Sequence, residues 1–167
     1  MLIIVVLGVL CMAFLSLFWL TPWGVPTLKR LGGGQVSPDL SFGYRPSDAY
    51  RLLDRYGAQG VSHWRRLLLL DMAFPALYAA FLALLATKWS QMADAGLVWE
   101  TAAIACPILA GLSDYAENIL WLRILGALPE RSDEAVAAAS LFTRAKFIFF
   151  GATVAIPLLH IAVGRAV

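Results

Sequence analysis

Charged residues are scarce in this sequence. Asp, Glu, Lys and Arg make up 14% of the 167 residues, whereas hydrophobic residues make up 60% and the mean hydropathy is +0.75. An ordinary soluble domain is about 25% charged and about 45–50% apolar. The shortage of charge therefore excludes an ordinary soluble domain, and we expect residues 1–167 to form a single membrane domain.

Cysteine and histidine are also few, with two residues of each. Cys11 and Cys106 lie inside apolar segments, where a free thiol behaves as a small hydrophobic side chain, so we expect no disulfide and no metal site from them. Neither His63 nor His160 stands in a Glu-x-x-His pair, which di-metal centres in helix bundles require. We expect no metal and no cofactor.

Motifs of common enzymes and nucleotide-binding proteins are missing as well. The chain has no Gly-x-Ser-x-Gly nucleophile motif. The three glycines at 32–34 are not followed by the Lys-Ser/Thr pair of a phosphate-binding loop. Positive residues are spread over the loops and the net charge is only +2, so we expect no nucleic-acid partner. These absences leave the question of an enzyme open and favour a non-enzymatic role.

Long hydrophobic runs are what the chain has instead. They predict transmembrane helices at residues 2–20, 67–86, 98–125 and 147–163, each near the ~20 residues that cross a bilayer. The first run is too long for a signal-peptide core and lacks a charged start, so we expect it to remain as a helix. The fourth helix is expected to begin well before its apolar part, because Ser132 suits an N-cap. The pattern predicts an all-α, polytopic integral membrane protein with a four-transmembrane-helix bundle.

The longest polar segment, residues 21–66, connects the first two predicted helices. Within it, residues 46–56 carry apolar side chains at helical spacing, with Pro46 suited to a first turn and Gly57 to a C-terminal cap. We expect a short amphipathic surface helix between helices 1 and 2. Both a lid over the bundle and a simple helical spacer fit this pattern.

Polar side chains interrupt the second predicted helix near its start. Asp71 lies about one turn inside the apolar boundary, and Pro75 lacks the amide that would bond to the Asp71 carbonyl. We expect a kink there. Tyr78, seven residues after Asp71, lies on the same side of the helix.

The third predicted helix combines a narrow face with a polar group. Its small residues suit close helix packing and are Ala102, Cys106, Pro107, Ala110 and Gly111. Asp114, Glu117 and Asn118 follow at i, i+3 and i+4 and so share one side of the helix, with Trp121 one turn further. Carboxyls inside an apolar span are costly, so these must have partners or a task.

The basic residues predict the orientation in the membrane. Eleven of the thirteen Lys and Arg lie in the first and third connections or at the helix ends beside them. They are Lys29, Arg30, Arg45, Arg51, Arg55, Arg65, Arg66, Arg123, Arg131, Arg144 and Lys146, against Lys88 and Arg165 elsewhere. The positive-inside rule then places both termini outside and connections 1 and 3 in the cytoplasm. With the alanine- and arginine-rich composition, we expect a bacterial cytoplasmic (inner) membrane.

This orientation gathers three acids and three bases in one half of the membrane, and two interpretations remain open. In the first, Arg123, Arg144 and Lys146 form structural ion pairs with the acids and fix the packing of the helices. In the second, the acids act as a site, as a general acid, as a proton relay or as a receptor for a cationic ligand. The candidate acids are Asp71, Asp114 and Glu117, and the candidate ligand-binding residues are Tyr78, Tyr115, Asn118 and Trp121.

Two functions from different classes follow from these interpretations. One is an accessory or scaffolding subunit that packs against a larger membrane complex, such as an energy-converting one, with the polar cluster stabilising the bundle. Its partners are the lipid bilayer and other membrane subunits. The alternative is a small-molecule-binding protein or an enzyme that uses Asp71, Asp114 and Glu117 on a lipid-like substrate.

Overall fold

A computed structural model describes residues 1–164 of the chain, and 85% of it is helical, with no strand in that range. The helices are α1 (Leu2–Leu20), α2 (Val25–Leu31), α3 (Pro46–Asp71), α4 (Phe74–Ala93), α5 (Gly96–Ala127) and α6 (Asp133–Gly164), with a 3-10 helix at Pro38–Leu40 between α2 and α3. The all-α prediction is confirmed. Arg165, one of the two basic residues outside connections 1 and 3, lies outside the described residues.

Four helical stretches are long and apolar enough to span a membrane, which confirms the predicted four-transmembrane-helix bundle. They are Leu2–Leu31, Pro46–Ala93, Gly96–Ala127 and Asp133–Val163. The first helix has the predicted bounds. The last begins at Asp133, before its apolar part as expected, with the Ser132 hydroxyl accepting a bond from the Ala135 N–H at 3.2 Å.

The first connection is more ordered than its sequence indicates. The pattern does not predict α2, in which Leu28 is fully buried. The amphipathic helix exists, but it does not end as a separate surface element: α3 continues past Gly57 into the second transmembrane stretch. Gly57 has φ 56° and ψ −170°, a left-handed conformation that glycine adopts without strain, so the helix bends there and resumes.

The apolar face of this bent helix packs into the protein rather than onto a membrane surface. Leu52, Leu53 and Tyr56 are buried in one core cluster with Trp64 and Trp121. A mobile lid would not bury its side chains in the main core. The segment is therefore a packed part of the bundle.

The predicted kink in the second transmembrane stretch is present. The helix is interrupted at Met72 and Ala73, between α3 and α4, and Pro75 follows in the first turn of α4. Proline suits that position because it has no N–H to leave unbonded. The interruption places Asp71 at the end of α3, facing the interior.

Close packing of α4 against α5 occurs at the small-residue face of α5. A Cβ on Gly111 would lie 3.1 Å from the Ala79 Cβ and 3.1 Å from the Pro75 carbonyl oxygen. Pro107, Ala110 and Gly111 of this face are buried, and so is Ala103, whereas Ala102 and Cys106 are half-buried. The contact brings the polar turn of α5 next to the start of α4.

Candidate functional site

A buried ion cluster joins α6 to α5. The Lys146 Nζ lies 3.0 Å from the Asp114 Oδ1 and 2.6 Å from the Glu117 Oε2. The Glu117 side chain is fully buried and that of Lys146 is 14% exposed. The i, i+3 spacing of the two carboxylates on α5 lets one ammonium reach both, so this cluster holds the two longest helices together.

The second oxygen of Glu117 has partners from two other elements. The Thr143 hydroxyl, one turn before Lys146 on α6, donates a hydrogen bond to it, and the Tyr44 hydroxyl lies 3.5 Å away. The indole N–H of Trp121 donates to the Tyr44 hydroxyl at 2.9 Å. Burial raises the pKa of Tyr44, and the charge of Glu117 adds to this shift, so the hydroxyl remains a neutral hydrogen-bonding group.

Asp114 and Asp71 each accept a hydrogen bond from a neutral donor. The Tyr78 hydroxyl of α4 donates to the Asp114 Oδ2 at 3.2 Å. The Asn118 amide of α5 donates to the Asp71 Oδ2 at 2.9 Å. The network therefore ties α3, α4, α5 and α6 together.

A cavity of about 530 Å³ adjoins this network on the side of α1. Its polar end contains Asp39, Asp71, Asp114 and Lys146. The rest of the wall is apolar and rich in aromatic rings, which come from Phe14, Phe18, Trp19, Trp64, Phe74, Tyr78, Phe81, Phe147 and Phe150. The site thus has a long apolar body and one acidic end.

The cavity lies between α1 and α6 and reaches the outer face of the bundle. α1 packs against α4 and α2, whereas α6 packs chiefly against α5. Of the lining residues, Met12 and Trp19 on α1 and Phe147 and Phe150 on α6 are exposed at 37% or more. In a bilayer, these side chains would meet acyl chains, so the cavity is open to lipid.

Asp39 enters the site from the first connection rather than from a transmembrane helix. The Lys146 ammonium donates to its main-chain carbonyl at 3.4 Å. Its Oδ1 is buried and has no hydrogen-bond partner within residues 1–164. Burial raises the pKa of the Asp39 carboxyl, and the Lys146 ammonium opposes this shift.

The predicted site residues lie in two places, the wall of the cavity and the hydrogen-bonded network behind it. Asp71, Asp114 and Tyr78 line the cavity. Glu117, Asn118 and Trp121 are buried in the network, and Tyr115 is half-buried without a hydrogen bond from its hydroxyl to the described residues.

Arg123 and Arg144 do not form the predicted structural ion pairs with the buried acids. Lys146 pairs with two carboxylates, whereas Arg123 and Arg144 are exposed and have no carboxylate within 4.0 Å in the described part of the chain. On a helix, a residue two positions from an inward one points away from it. Arg144 therefore faces outward because Lys146 faces inward.

Sequence reasoning missed Asp39, Tyr44 and Thr143. The position of Thr143 could have been predicted, because it lies one turn from Lys146 on the same face of α6. Asp39 and Tyr44 lie in a connection without periodicity, and nothing in their local sequence indicates contact with α5 and α6. Across residues 1–164, no group of three His, Cys, Asp or Glu side chains is placed to hold a metal ion.

Comparison of the chain with protein-family models, with curated proteins and with solved structures finds no match.

Proposed function

We propose that this protein binds a lipid-like small molecule in the cavity between α1 and α6. The observation that carries the proposal is a cavity of about 530 Å³ with an aromatic body and a carboxyl-bearing end, within the membrane-spanning helices. Ligand pockets are commonly about 300–1,000 Å³, mostly apolar, with few polar groups. An amphipathic molecule matches both parts of this wall.

The open side of the cavity supports entry of the ligand from the bilayer. The exposed lining residues on α1 and α6 would contact acyl chains, so a lipid-like molecule can pass between these helices without crossing water. α1 is also little embedded in the bundle, with Cys11 its one buried residue. Few contacts resist its outward movement.

Binding accounts for the network better than catalysis does. Asp114 and Glu117 are engaged by Lys146, Tyr78 and Thr143. Carboxylates paired in this way stabilise the bundle and position the wall of the cavity. The polar cluster would thus be structural on one side and ligand-facing on the other.

Filling the cavity from α1 is expected to weaken binding. The substitution Cys11→Trp places an indole at a residue that lines the cavity and packs in one buried cluster with Tyr78 and Ala110. The probe is a long-chain alcohol with a photoreactive diazirine and a terminal alkyne, used on the protein in lipid nanodiscs. The quantity measured is labelling of the lining peptides that unlabelled alcohol displaces. This labelling is expected to fall roughly tenfold, which corresponds to a loss of about 1.4 kcal/mol in binding free energy.

The neighbouring substitution Leu10→Trp is the matched control. Leu10 lies on the same helix, is 49% exposed and does not line the cavity. Its variant is expected to label like the unmodified protein. Equal labelling of both variants, or labelling spread evenly over all helices, would show that the probe partitions into lipid and does not occupy the cavity.

The accessory-subunit function remains a second proposal, supported by the exposed apolar face of α1. Ile3, Val5, Val6 and Leu10 are all at least 46% exposed. Either lipid or a neighbouring membrane subunit can cover this face. Gentle extraction followed by native-gel sizing distinguishes the two: migration inside a large complex of defined composition supports the subunit, and migration alone or as a small oligomer argues against it.

The location in a bacterial cytoplasmic membrane, with both termini outside, is also a proposal. It is supported by the basic residues of connections 1 and 3, which meet at one end of the bundle. There, the Arg131 guanidinium lies 2.6 Å from the Asp54 carboxylate, and the Ser132 N–H donates to the Tyr50 hydroxyl at 2.6 Å. Activity of a periplasmic reporter fused before Met1 would agree with this orientation, and an inactive reporter would contradict it.

A further inference from the structure

The polar end of the cavity carries more acid than base. Four carboxyl groups meet there or directly behind it, those of Asp39, Asp71, Asp114 and Glu117. One ammonium, that of Lys146, is paired with two of them. Uncompensated charge in an apolar interior is costly, so the excess carboxyls must be neutralised by protons or by a cation.

The two acids without an ionic partner are also the two with the fewest hydrogen bonds to their carboxyl groups in the described residues. Asp71 accepts one hydrogen bond from a neutral amide, and the Asp39 Oδ1 has no partner in residues 1–164. Both residues line the cavity. The Lys146 ammonium pairs with the other two carboxylates. Its hydrogen bond to Asp39 is to the main-chain oxygen and not to the carboxyl group.

From this juxtaposition we infer that the ligand is a long-chain amine, whose ammonium binds between the Asp39 and Asp71 carboxyls while its chain lies along the aromatic wall. The inference rests on the proposed function, since it identifies the class of molecule that occupies the same cavity. An ammonium supplies three hydrogen-bond donors and one positive charge, which matches the acceptors left open there. An alcohol supplies one neutral donor, and a carboxylate adds to the negative charge.

Three probes with the same chain, diazirine and alkyne, but with an amine, alcohol or carboxylate head, test the inference on the full chain in neutral-lipid nanodiscs. We expect displaceable labelling of the cavity peptides to be about tenfold stronger for the amine than for the alcohol, as a charge-assisted bond implies. The carboxylate should label least. Equal labelling by amine and alcohol would overturn the cation inference but leave the proposed function intact. If no probe labels the cavity, the proposed function fails as well.

The isosteric substitution Asp39→Asn is expected to reduce the ratio of amine to alcohol labelling at least threefold, because it removes one of two charges. The ratio is measured within one preparation, so a loss of folded protein lowers both labels and leaves the ratio unchanged. Asp48→Asn is the control, since Asp48 is exposed and pairs with Arg51 on the surface of α3. An unchanged ratio in Asp39→Asn would overturn the role of Asp39.

The labelling should also depend on pH. The titratable groups that act on the Asp39 carboxyl are Asp71, Asp114, Glu117, Tyr44, Tyr56 and Lys146. Because burial raises the pKa of Asp39, its neutral form persists above the ordinary value of about 4. A neutral carboxyl does not attract an ammonium, so amine labelling should increase from about pH 5 to pH 8, where an alkylamine stays protonated, while alcohol labelling stays constant. Amine labelling that falls over this range would contradict the inference.

Discussion

Replacing Lys146 with methionine is expected to lower the free energy of unfolding by about 3–5 kcal/mol, the cost of removing one partner from a buried ion pair. The substitution leaves Asp114 and Glu117 in an apolar interior without their shared ammonium. For a chain of this size, the melting temperature should fall by roughly 10 °C. Thermal unfolding in detergent, followed by tryptophan fluorescence, measures the change.

Two further variants separate the ion pair from the loss of a long side chain. Arg144→Met removes an exposed cation two residues away and is expected to change the melting temperature little. The double substitution Lys146→Met with Glu117→Gln also removes the charge that Lys146 stabilises, so it should recover part of the loss. If the double variant is less stable than Lys146→Met alone, the cluster is not held by this charge pair.

Truncation of Trp121 to alanine is expected to cost about 3–5 kcal/mol, the range for a large aromatic side chain in a well-packed core. Trp121 is fully buried, and its ring centroid lies 4.5 Å from that of Trp64 and 5.6 Å from that of Tyr44. Its loss would open a void between α3, α5 and the first connection. The free energy of unfolding in detergent, measured by chemical denaturation, checks this value.

A conservative variant isolates the hydrogen bond of the indole. Trp121→Phe keeps an aromatic ring but removes the indole N–H that donates to the Tyr44 hydroxyl, so a smaller loss of about 1–3 kcal/mol is expected. Trp23→Ala is the control, because Trp23 is 78% exposed. Similar losses for Trp121→Ala and Trp23→Ala would contradict the packing described for this core.

Much of the helical framework can be predicted because its causes are local. The apolar run at residues 2–20 has the same bounds as α1, since a helix satisfies every backbone group within one segment. Pro75 predicts the interruption after Asp71, because a missing N–H breaks the helical bonding at a known distance. The i, i+3, i+4 spacing on α5 likewise places its polar residues on one side, whatever surrounds them.

The acceptors and donors of the site are less predictable, because they come from segments far apart in sequence. Tyr44 and Glu117 are separated by 73 residues, and Asp39 and Lys146 by 107. No periodicity marks the two loop residues. The charges of Lys146, Arg123 and Arg144 also do not predict which of the three pairs with the buried acids. That depends on which face of each helix packs inward.

The sequence by itself determined that the protein is a four-span helical membrane protein, that its second span is interrupted at Asp71 and that α5 carries acids on one side. Each of these follows from hydropathy or from helical spacing within one segment. Only the tertiary structure decided that Lys146 pairs with two of those acids, that Asp39 joins them, and that a cavity lies between α1 and α6. These features depend on how whole helices are rotated and positioned against one another, and a local pattern does not contain that information.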